Sequence, residues 1–149
     1  MQAYLGITTP AAGFIAPGDL IRSPAERRLA DHVAPGCEPE VALRLGRDLP
    51  AGRCTRAEAA AAVAEVFAGI ELVENRYVDF RSIGAPTLIA DQFFHSAAVL
   101  GAPAAARFGG LKAGQVVFLG SVTPPVWIDG PCLVTAEFDL LGKVEIRFR

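Results

Sequence analysis

The chain has 149 residues; hydrophobic residues make up 52% of them, and 14 lysines and arginines stand against 16 aspartates and glutamates. This length suits one domain, 1–149, and the high apolar content argues against disorder. A net charge of −2 without a basic stripe excludes the electrostatic footprint of a nucleic-acid-binding protein. No apolar run approaches the roughly 18 residues of a membrane span, and the N-terminus does not have the pattern of a secretory signal.

The first 36 residues contain recurring prolines and glycines, which predict turns joining short strands. The stretch "EVALRLGR" (40–47) alternates apolar and other residues and predicts a strand. The next stretch, "TRAEAAAAVAEVFAGI" (55–70), predicts a helix, since Thr55 and Glu58 have capping-box spacing, alanines follow, and Gly69 can end it. "IELVEN" (70–75) predicts a short strand.

"ADQFFHSAAVLG" (90–101) predicts a second helix, with Asp91 as its N-cap and Gly101 after its last turn. His95 is then interpreted as a structural histidine within that helix, and His32 as a residue of a surface loop. The last third is rich in β-branched and aromatic residues and predicts three strands, "QVVFLG", "CLVTAEFD" and "KVEIRF", with a turn before the last one. The pattern therefore predicts a mostly β protein of the α+β or all-β class.

Two further properties concern the surroundings of the protein. Three cysteines without a CxxC pair (Cys37, Cys54 and Cys132) are typical of free thiols in a reducing compartment, so a cytoplasmic location is expected. The high apolar content predicts a homodimer, in which a second copy covers apolar surface.

Two carboxylates stand two residues apart in "CEPE", where the strand pattern begins. Side chains at i and i+2 of a strand project to the same side, so Glu38 and Glu40 would repel one another. An exposed strand edge solvated by water is the ordinary explanation for such a pair. Apolar neighbours and a third glutamate in an apolar strand, Glu71 of "GIELVE", favour a cation instead. Ligation by oxygen alone suits a hard ion, Mg²⁺ or Mn²⁺.

The order and spacing of four stretches resemble the 2-keto-4-pentenoate hydratase and 4-oxalocrotonate decarboxylase branch of the fumarylacetoacetate hydrolase family. These stretches are "CEPEVALRLGRDLP", "IELVENRYVDF", "ADQFFHSAAVLG" and "GQVVFLGSVTPPVWIDGPCLVTAEFDLLGKVEIRF". The resemblance implies an α+β, mostly β fold: a fumarylacetoacetase-like C-terminal β-roll or sandwich with flanking helices. It also implies that Glu38, Glu40 and Glu71 bind the divalent metal.

The activity implied by the resemblance is that of a Mg²⁺-dependent lyase, a hydratase or a decarboxylase, acting on a small 2-keto or 2-hydroxydienoate acid through a metal-stabilised enolate. The family's lysine is replaced here by Tyr4 of "YLGITT", which can donate a hydrogen bond but carries no positive charge. The family's base matches Asp19 of "PGDLIRSP", whose alternative is a plain turn aspartate.

Three further residues are candidates for substrate binding. In "GSVTPP", Ser121 and Thr123 match a stretch that faces the substrate in the family, and a polar turn is their alternative. Asp91 either supports the metal shell or caps a helix. The replaced lysine leaves two other hypotheses open: a non-catalytic relative that binds a small acid, and a diverged biosynthetic enzyme that takes a larger apolar ligand.

Overall fold

The structure is a computed structural model that describes residues 7–8, 12–49, 52–105, 116–118, 120–121 and 123–149. Within these ranges the strands are β1 (Leu20–Arg22), β2 (Ala25–Arg27), β3 (Pro35–Leu45), β4 (Val63–Glu74), β5 (His95–Ala105), β6 (Val116–Phe118), β7 (Val126–Trp127), β8 (Cys132–Phe138) and β9 (Gly142–Phe148). The helices are α1 (Arg56–Ala60) and α2 (Ala85–Ala90). This content confirms the predicted α+β, mostly β class. No helix of the described ranges is long and apolar enough to cross a membrane.

The strands form two sheets. The larger sheet has the order β1-β5-β4-β3-β6, and β7 also pairs with β3. In it β1 is parallel to β5, whereas the other neighbouring strands are antiparallel. The smaller sheet has the order β2-β9-β8. Strand β4 is therefore paired on both sides, with β3 along one edge and β5 along the other.

The main apolar core lies between the two sheets. Alternate residues of the paired strands point into it, among them Ala68, Ile70 and Leu72 of β4, Ala97 and Val99 of β5, and Val144, Ile146 and Phe148 of β9. Because successive side chains of a strand point to opposite faces, the residues between them on β4 face away from this core. Those intervening residues include Glu71, so the candidate metal ligands lie on the outer face of the larger sheet.

The predicted helix over 55–70 is wrong beyond its first turns. Thr55 and Glu58 do form a capping box, with the Glu58 N–H donating to the Thr55 Oγ1 at 3.2 Å. The helix ends at Ala60, and β4 begins at Val63. The branched and aromatic residues that follow favour a strand, and pairing along both edges of β4 outweighs the helix propensity of the alanines.

The predicted helix over 90–101 is also wrong. Helix α2 ends at Ala90, a turn follows, and β5 begins at His95. Asp91 is thus the residue after a helix rather than its N-cap. Strand β5 is buried on both faces, because Ala98 and Val99 are both fully buried. Such a strand shows no alternation, which is why its sequence resembles that of a buried helix.

His32 was predicted on a surface loop, and this prediction is wrong. Its imidazole is buried, and the Nδ1 atom lies 2.8 Å from Oε2 of Glu74, the last residue of β4. The other Glu74 oxygen accepts hydrogen bonds from the backbone N–H groups of Val33 and Ala34. This pair fixes the segment before β3 against the end of β4, where the His32 ring meets Phe148 edge to face. It therefore belongs to the core side of the larger sheet.

The burial pattern yields a matched stability test at two leucines. Leu72→Ala removes a fully buried side chain between the sheets, whereas Leu140→Ala trims a side chain that is 91% exposed in the turn between β8 and β9. We expect Leu72→Ala to lower the free energy of unfolding by about 2–5 kcal/mol. Leu140→Ala should change it by less than about 0.5 kcal/mol. Urea unfolding followed by circular dichroism measures both, and equal losses would contradict the described sandwich.

Candidate metal centre

Two antiparallel strands set the positions of the three acidic residues. In the pairing of β3 with β4, Glu38 lies directly opposite Glu71, and Glu40 lies opposite Gly69. Directly opposed side chains share one face of a sheet, with Cβ atoms about 5 Å apart. Glu40 is on that face too, because it follows Glu38 by two residues. Gly69 has no side chain, so the space across from Glu40 stays open to its carboxylate.

The three carboxylates converge. One oxygen of each lies within 4.8 Å of the corresponding oxygens of the other two. Glu38 and Glu40 are buried, at 5% and 2% exposure, and Glu71 is partly buried. In the part of the chain that the structure describes, no lysine or arginine forms an ion pair with any of the three. A solvated strand edge therefore does not account for these side chains.

Backbone and hydroxyl groups after β6 complete one side of the cluster. The Gly120 N–H donates to the Glu40 Oε2 at 3.1 Å, and Gly120 has a φ of +99°, a conformation that favours glycine. Ser121 follows in the same turn; its hydroxyl donates to the Thr123 carbonyl oxygen and favours the ionised form of Glu38. A glycine that ends an apolar run is the sequence signal for this turn, but the run does not reveal which carboxylate the turn will meet.

Burial and mutual repulsion make two of these carboxyl groups weak acids. Burial, followed by the charge of Glu71, raises the pKa of Glu38 to about 7, with the Ser121 hydroxyl opposing the rise. Burial, the charge of Glu71 and that of Glu38 raise the pKa of Glu40 to about 8, although the Gly120 N–H partly offsets them. The ionised cluster is therefore electrostatically unfavourable without a counter-charge.

This donor set fits a hard divalent cation. All three side chains offer oxygen, and these oxygens converge from adjacent strands. A bound cation would remove the repulsion that raises the two pKa values and would leave other coordination positions for water or substrate oxygens. Glu38, Glu40 and Glu71 are thus the residues that could hold such an ion.

His95 is the residue of this site that sequence reasoning missed. Its Nδ1 atom lies 2.6 Å from the Glu71 Oε1, and its side chain is buried. The sequence predicts a structural histidine within a helix at this position. The contact depends on the pairing of β5 with β4, which brings together residues 24 positions apart. No local spacing in the sequence signals such a contact.

The other predicted site residues are not part of the carboxylate cluster as described. Thr123 is exposed, and its Oγ1 donates to the Pro124 carbonyl oxygen at 3.1 Å within a local turn. Asp91 accepts two hydrogen bonds from Arg76 and is not part of the carboxylate cluster. The predicted Tyr4 lies outside the described residues.

Asp19 lies at the end of a short 3₁₀ turn, directly before β1. Its neighbour Leu20 pairs with Ala98, and Ala98 pairs with Glu71, so these residues form one row across the sheet. Neighbouring strands lie about 4.8 Å apart, which puts the backbone of Leu20 about 10 Å from that of Glu71. Asp19 is therefore next to the row that contains Glu71, and it is not one of the three converging carboxylates.

A cavity of about 640 Å³ opens on the other face of the larger sheet. Its lining includes Cys37, Pro39 and Ile70, which alternate with the glutamates along β3 and β4, together with β8. The cavity is mainly apolar and contains none of the three glutamates. Burial raises the pKa of the Cys37 thiol to about 12, as expected for a packed thiol among apolar neighbours.

The chain is similar in sequence to a known decarboxylase. It is 35% identical over 101 residues to a 4-oxalocrotonate decarboxylase of Pseudomonas sp.. The matched stretch spans 68% of this chain and 39% of that relative. No protein-family model matches the chain.

Two solved structures share the fold. The 4-oxalocrotonate decarboxylase from Pseudomonas putida G7 complexed with magnesium and adipate matches with a TM-score of 0.86 at 19% identity. The same enzyme complexed with calcium and acetate matches with a TM-score of 0.82 at 18% identity. Each match covers 99% of this chain and 73% of the solved one. These similarities confirm the resemblance to this branch of the fumarylacetoacetate hydrolase family, and they confirm the fold expected from it.

The raised pKa values predict how the metal-free protein responds to pH. Both lie above the ordinary value of 4.5, so the folded state holds these protons more tightly than the unfolded chain does. This contribution to stability is complete below about pH 4.3 and is lost as the pH rises through 7 and 8. The measurement is the free energy of unfolding of the wild type minus that of Glu40→Gln, in EDTA. This difference should fall by roughly a few kcal/mol between about pH 5 and pH 8. A difference that stays constant or rises across this range would contradict the burial of Glu40.

Proposed function

We propose that this chain, which resembles 4-oxalocrotonate decarboxylase in sequence and in fold, is a Mg²⁺-dependent decarboxylase of a small 2-keto acid. The observation that carries the proposal is the convergence of Glu38, Glu40 and Glu71 on the outer face of the larger sheet. Buried carboxylates cost several kcal/mol unless they are paired or bind a metal. The three glutamates are the proposed ligands, and Mn²⁺ would suit the same oxygens.

The reaction needs a place for an electron pair. In decarboxylation of a vinylogous 2-keto diacid, the bond to the carboxyl group far from the 2-oxo group breaks and CO₂ leaves. The electron pair is shared with the 2-oxo group through the conjugated C=C bond until a proton is added to carbon. Mg²⁺, if held by the three glutamates, would supply positive charge that stabilises the negative charge developing on the 2-oxo group. The glutamates would hold that charge at a fixed point, because they lie on two paired strands in a buried region of the sheet. The polar groups around the substrate would then need little rearrangement during the reaction.

The chain's own polar groups supply the remaining roles. The Gly120 N–H holds one oxygen of Glu40, which directs the other toward the centre of the cluster. Ser121, in the turn after Gly120, is the proposed donor to a carboxylate of the substrate, for which its hydroxyl would turn away from the Thr123 carbonyl oxygen. Asp19, which directly precedes the first residue of the row of Leu20, Ala98 and Glu71, is the proposed proton-transfer group for a substrate that extends along this row.

The proposal is tested by turnover with matched variants. Glu65 is the control for Glu40, because it lies on the same face of β4, roughly 20 Å along the strand from Glu71, and pairs with Arg44. We expect the wild type to release CO₂ from vinylogous 2-keto diacids with Mg²⁺ and not with EDTA. Glu40→Gln should lose at least about 100-fold in kcat/KM, or about 2.7 kcal/mol, and Glu65→Gln should keep its rate.

Other outcomes of the same assay separate the rival functions. Metal-dependent hydration of 2-hydroxypenta-2,4-dienoate without CO₂ release would replace the decarboxylase by a hydratase. Binding of oxalate or of a larger apolar acid without turnover would favour a non-catalytic or biosynthetic relative. Either result would overturn the proposed reaction. The metal site would then be tested by measuring metal binding directly.

The thiols support a reducing compartment for this activity. Cys37, Cys54 and Cys132 are all free; Cys37 is buried, and the other two are exposed. Exposed thiols persist where the surroundings keep them reduced. A cytoplasmic enzyme is therefore the proposed setting.

Apolar surface next to the cavity supports a homodimer. Val126, Trp127 and Leu133 line the cavity and remain 58%, 42% and 46% exposed. Strand β8, which carries Leu133, is at the edge of the smaller sheet, so one of its edges is open in the described structure. Contiguous apolar surface of this kind marks interaction sites, and two-fold dimers are the commonest symmetric assemblies. A second copy of the chain is the proposed occupant.

Sedimentation velocity tests the dimer. The wild type should sediment as a dimer at micromolar concentration, and Leu133→Asp should shift it toward monomer, because a charge would be buried in the interface. Leu140→Asp is the control, since Leu140 is exposed outside the lining of the cavity. A wild-type monomer, or a dimer that Leu133→Asp leaves intact, would reject this surface.

A further inference from the structure

We infer that His95 is a positioning residue for the metal centre: its Nδ1–H fixes Glu71 so that one carboxylate oxygen is held by the imidazole and the other faces the ion. This inference rests on the proposed metal site. His95 is not one of the three proposed ligands, and its role follows from the contacts around it.

The hydrogen bond to Glu71 defines the ring's orientation. The His95 Nδ1 and the Glu71 Oε1 are 2.6 Å apart, and the imidazole is nine-tenths buried. An ionised carboxylate only accepts hydrogen bonds, so Nδ1 must carry the proton in this contact. The Nε2 atom is buried and has no hydrogen-bond partner among the described residues. Glu71 is thus the one described group that determines how this ring is oriented.

The backbone of His95 is held by a second set of contacts. Arg76 donates from Nη2 to the His95 carbonyl oxygen at 2.8 Å and from Nη1 to both oxygens of Asp91 at 3.0 and 3.1 Å. Asp91 in turn accepts a hydrogen bond from the Phe94 N–H at 3.2 Å. Asp91 and Arg76 therefore act on the cluster through the start of β5.

An unusual turn delivers His95 to this position. Gln92, Phe93 and Phe94 have φ values of 55°, 54° and 70°, a left-handed conformation that is unfavourable for residues other than glycine. The turn is fixed by the Gln92 Oε1, which accepts from the Phe14 N–H at 2.6 Å, and by the packing of the buried Phe94 against Tyr77 and other aromatic rings. Strain that the surrounding contacts maintain is typical of functional sites.

The chain contains a matched control on the opposite face of β4. His32 also places its Nδ1 against a β4 glutamate, Glu74, at 2.8 Å, and its Nε2 is likewise buried without a described partner. Glu74 is outside the carboxylate cluster. Removing either histidine breaks one buried histidine–glutamate contact, but only the loss of His95 releases a proposed ligand.

The experiment measures Mn²⁺ binding alone, by electron paramagnetic resonance titration and calorimetry, in folded variants. His95→Leu should weaken Mn²⁺ binding 10–100-fold, the usual effect of losing a group that orients a ligand. His95→Asn should restore binding to within about threefold, since an asparagine amide can replace Nδ1–H as the donor. His32→Leu should lower the melting temperature and leave the Mn²⁺ Kd unchanged. Wild-type affinity in folded His95→Leu would overturn the inference.

Two further measurements keep the test decisive. If His95→Leu does not fold, His95→Asn is compared with His95→Gln, whose amide reaches the position of Nε2; tighter binding by the glutamine variant would overturn the inference. In metal-free wild type, ¹⁵N spectra should show a protonated Nδ1 on His95, and an unprotonated Nδ1 would overturn it without reference to metal. A directly coordinated nitrogen in the Mn²⁺ spectrum would make His95 a ligand and would equally overturn the positioning role.

The failure of the proposed function has a different signature. Wild type that binds no Mn²⁺, or binds it as well as Glu40→Gln does, would remove the metal site itself. Normal binding by wild type, weakened binding by Glu40→Gln and unchanged binding by His95→Leu would remove only the role of His95.

Discussion

The register of β3 against β4 is the constraint on which the rest of the structure depends. It sets Glu38 directly opposite Glu71, two like charges that destabilise a sheet at this separation. A slip of one residue would turn every side chain of a strand to the other face and place carboxylates in the apolar core between the sheets. The alternate burial of Ile70 and Leu72 therefore fixes the positions of the glutamates, and the glutamates in turn require something that neutralises them.

Local sequence patterns predicted the strands with one buried and one more polar face, and they failed where both faces are buried. The alternation of "EVALRLGR" identified part of β3, and the turn before Gly142 separated β8 from β9 as expected. Strands β4 and β5 were assigned partly to helices because alanine-rich, continuously apolar segments carry no period-two signal. Their strand conformation follows from pairing along both edges, which is a tertiary effect that no window of the sequence contains.

The same limit applies to the site. The spacing of Glu38 and Glu40 predicted that they share one face of a strand, and Glu71 was recognised as a charged residue in an apolar strand. Both signals lie within a short window of the sequence. Their convergence was inferred from the resemblance to the family, and the geometry brings the three together. His95 was missed because its contact with Glu71 arises only when β5 pairs with β4. A wrong assignment of helix to β5 concealed the residue that touches a proposed ligand.

Features that are unfavourable for stability, such as charge repulsion and backbone strain, also indicate the position of the functional site. An imidazole nitrogen without a partner in the described part of the chain is not by itself a mark of a site, because His32 and His95 both have one and lie on opposite faces of the larger sheet. The difference is in what surrounds the two residues. His32 is bound to a glutamate that is further held by two backbone N–H groups, and it closes the edge of the core. His95 follows three left-handed residues and reaches a carboxylate in a cluster of like charge. Repulsion and strain that coincide in one region are explained by a ligand that compensates for them when it binds.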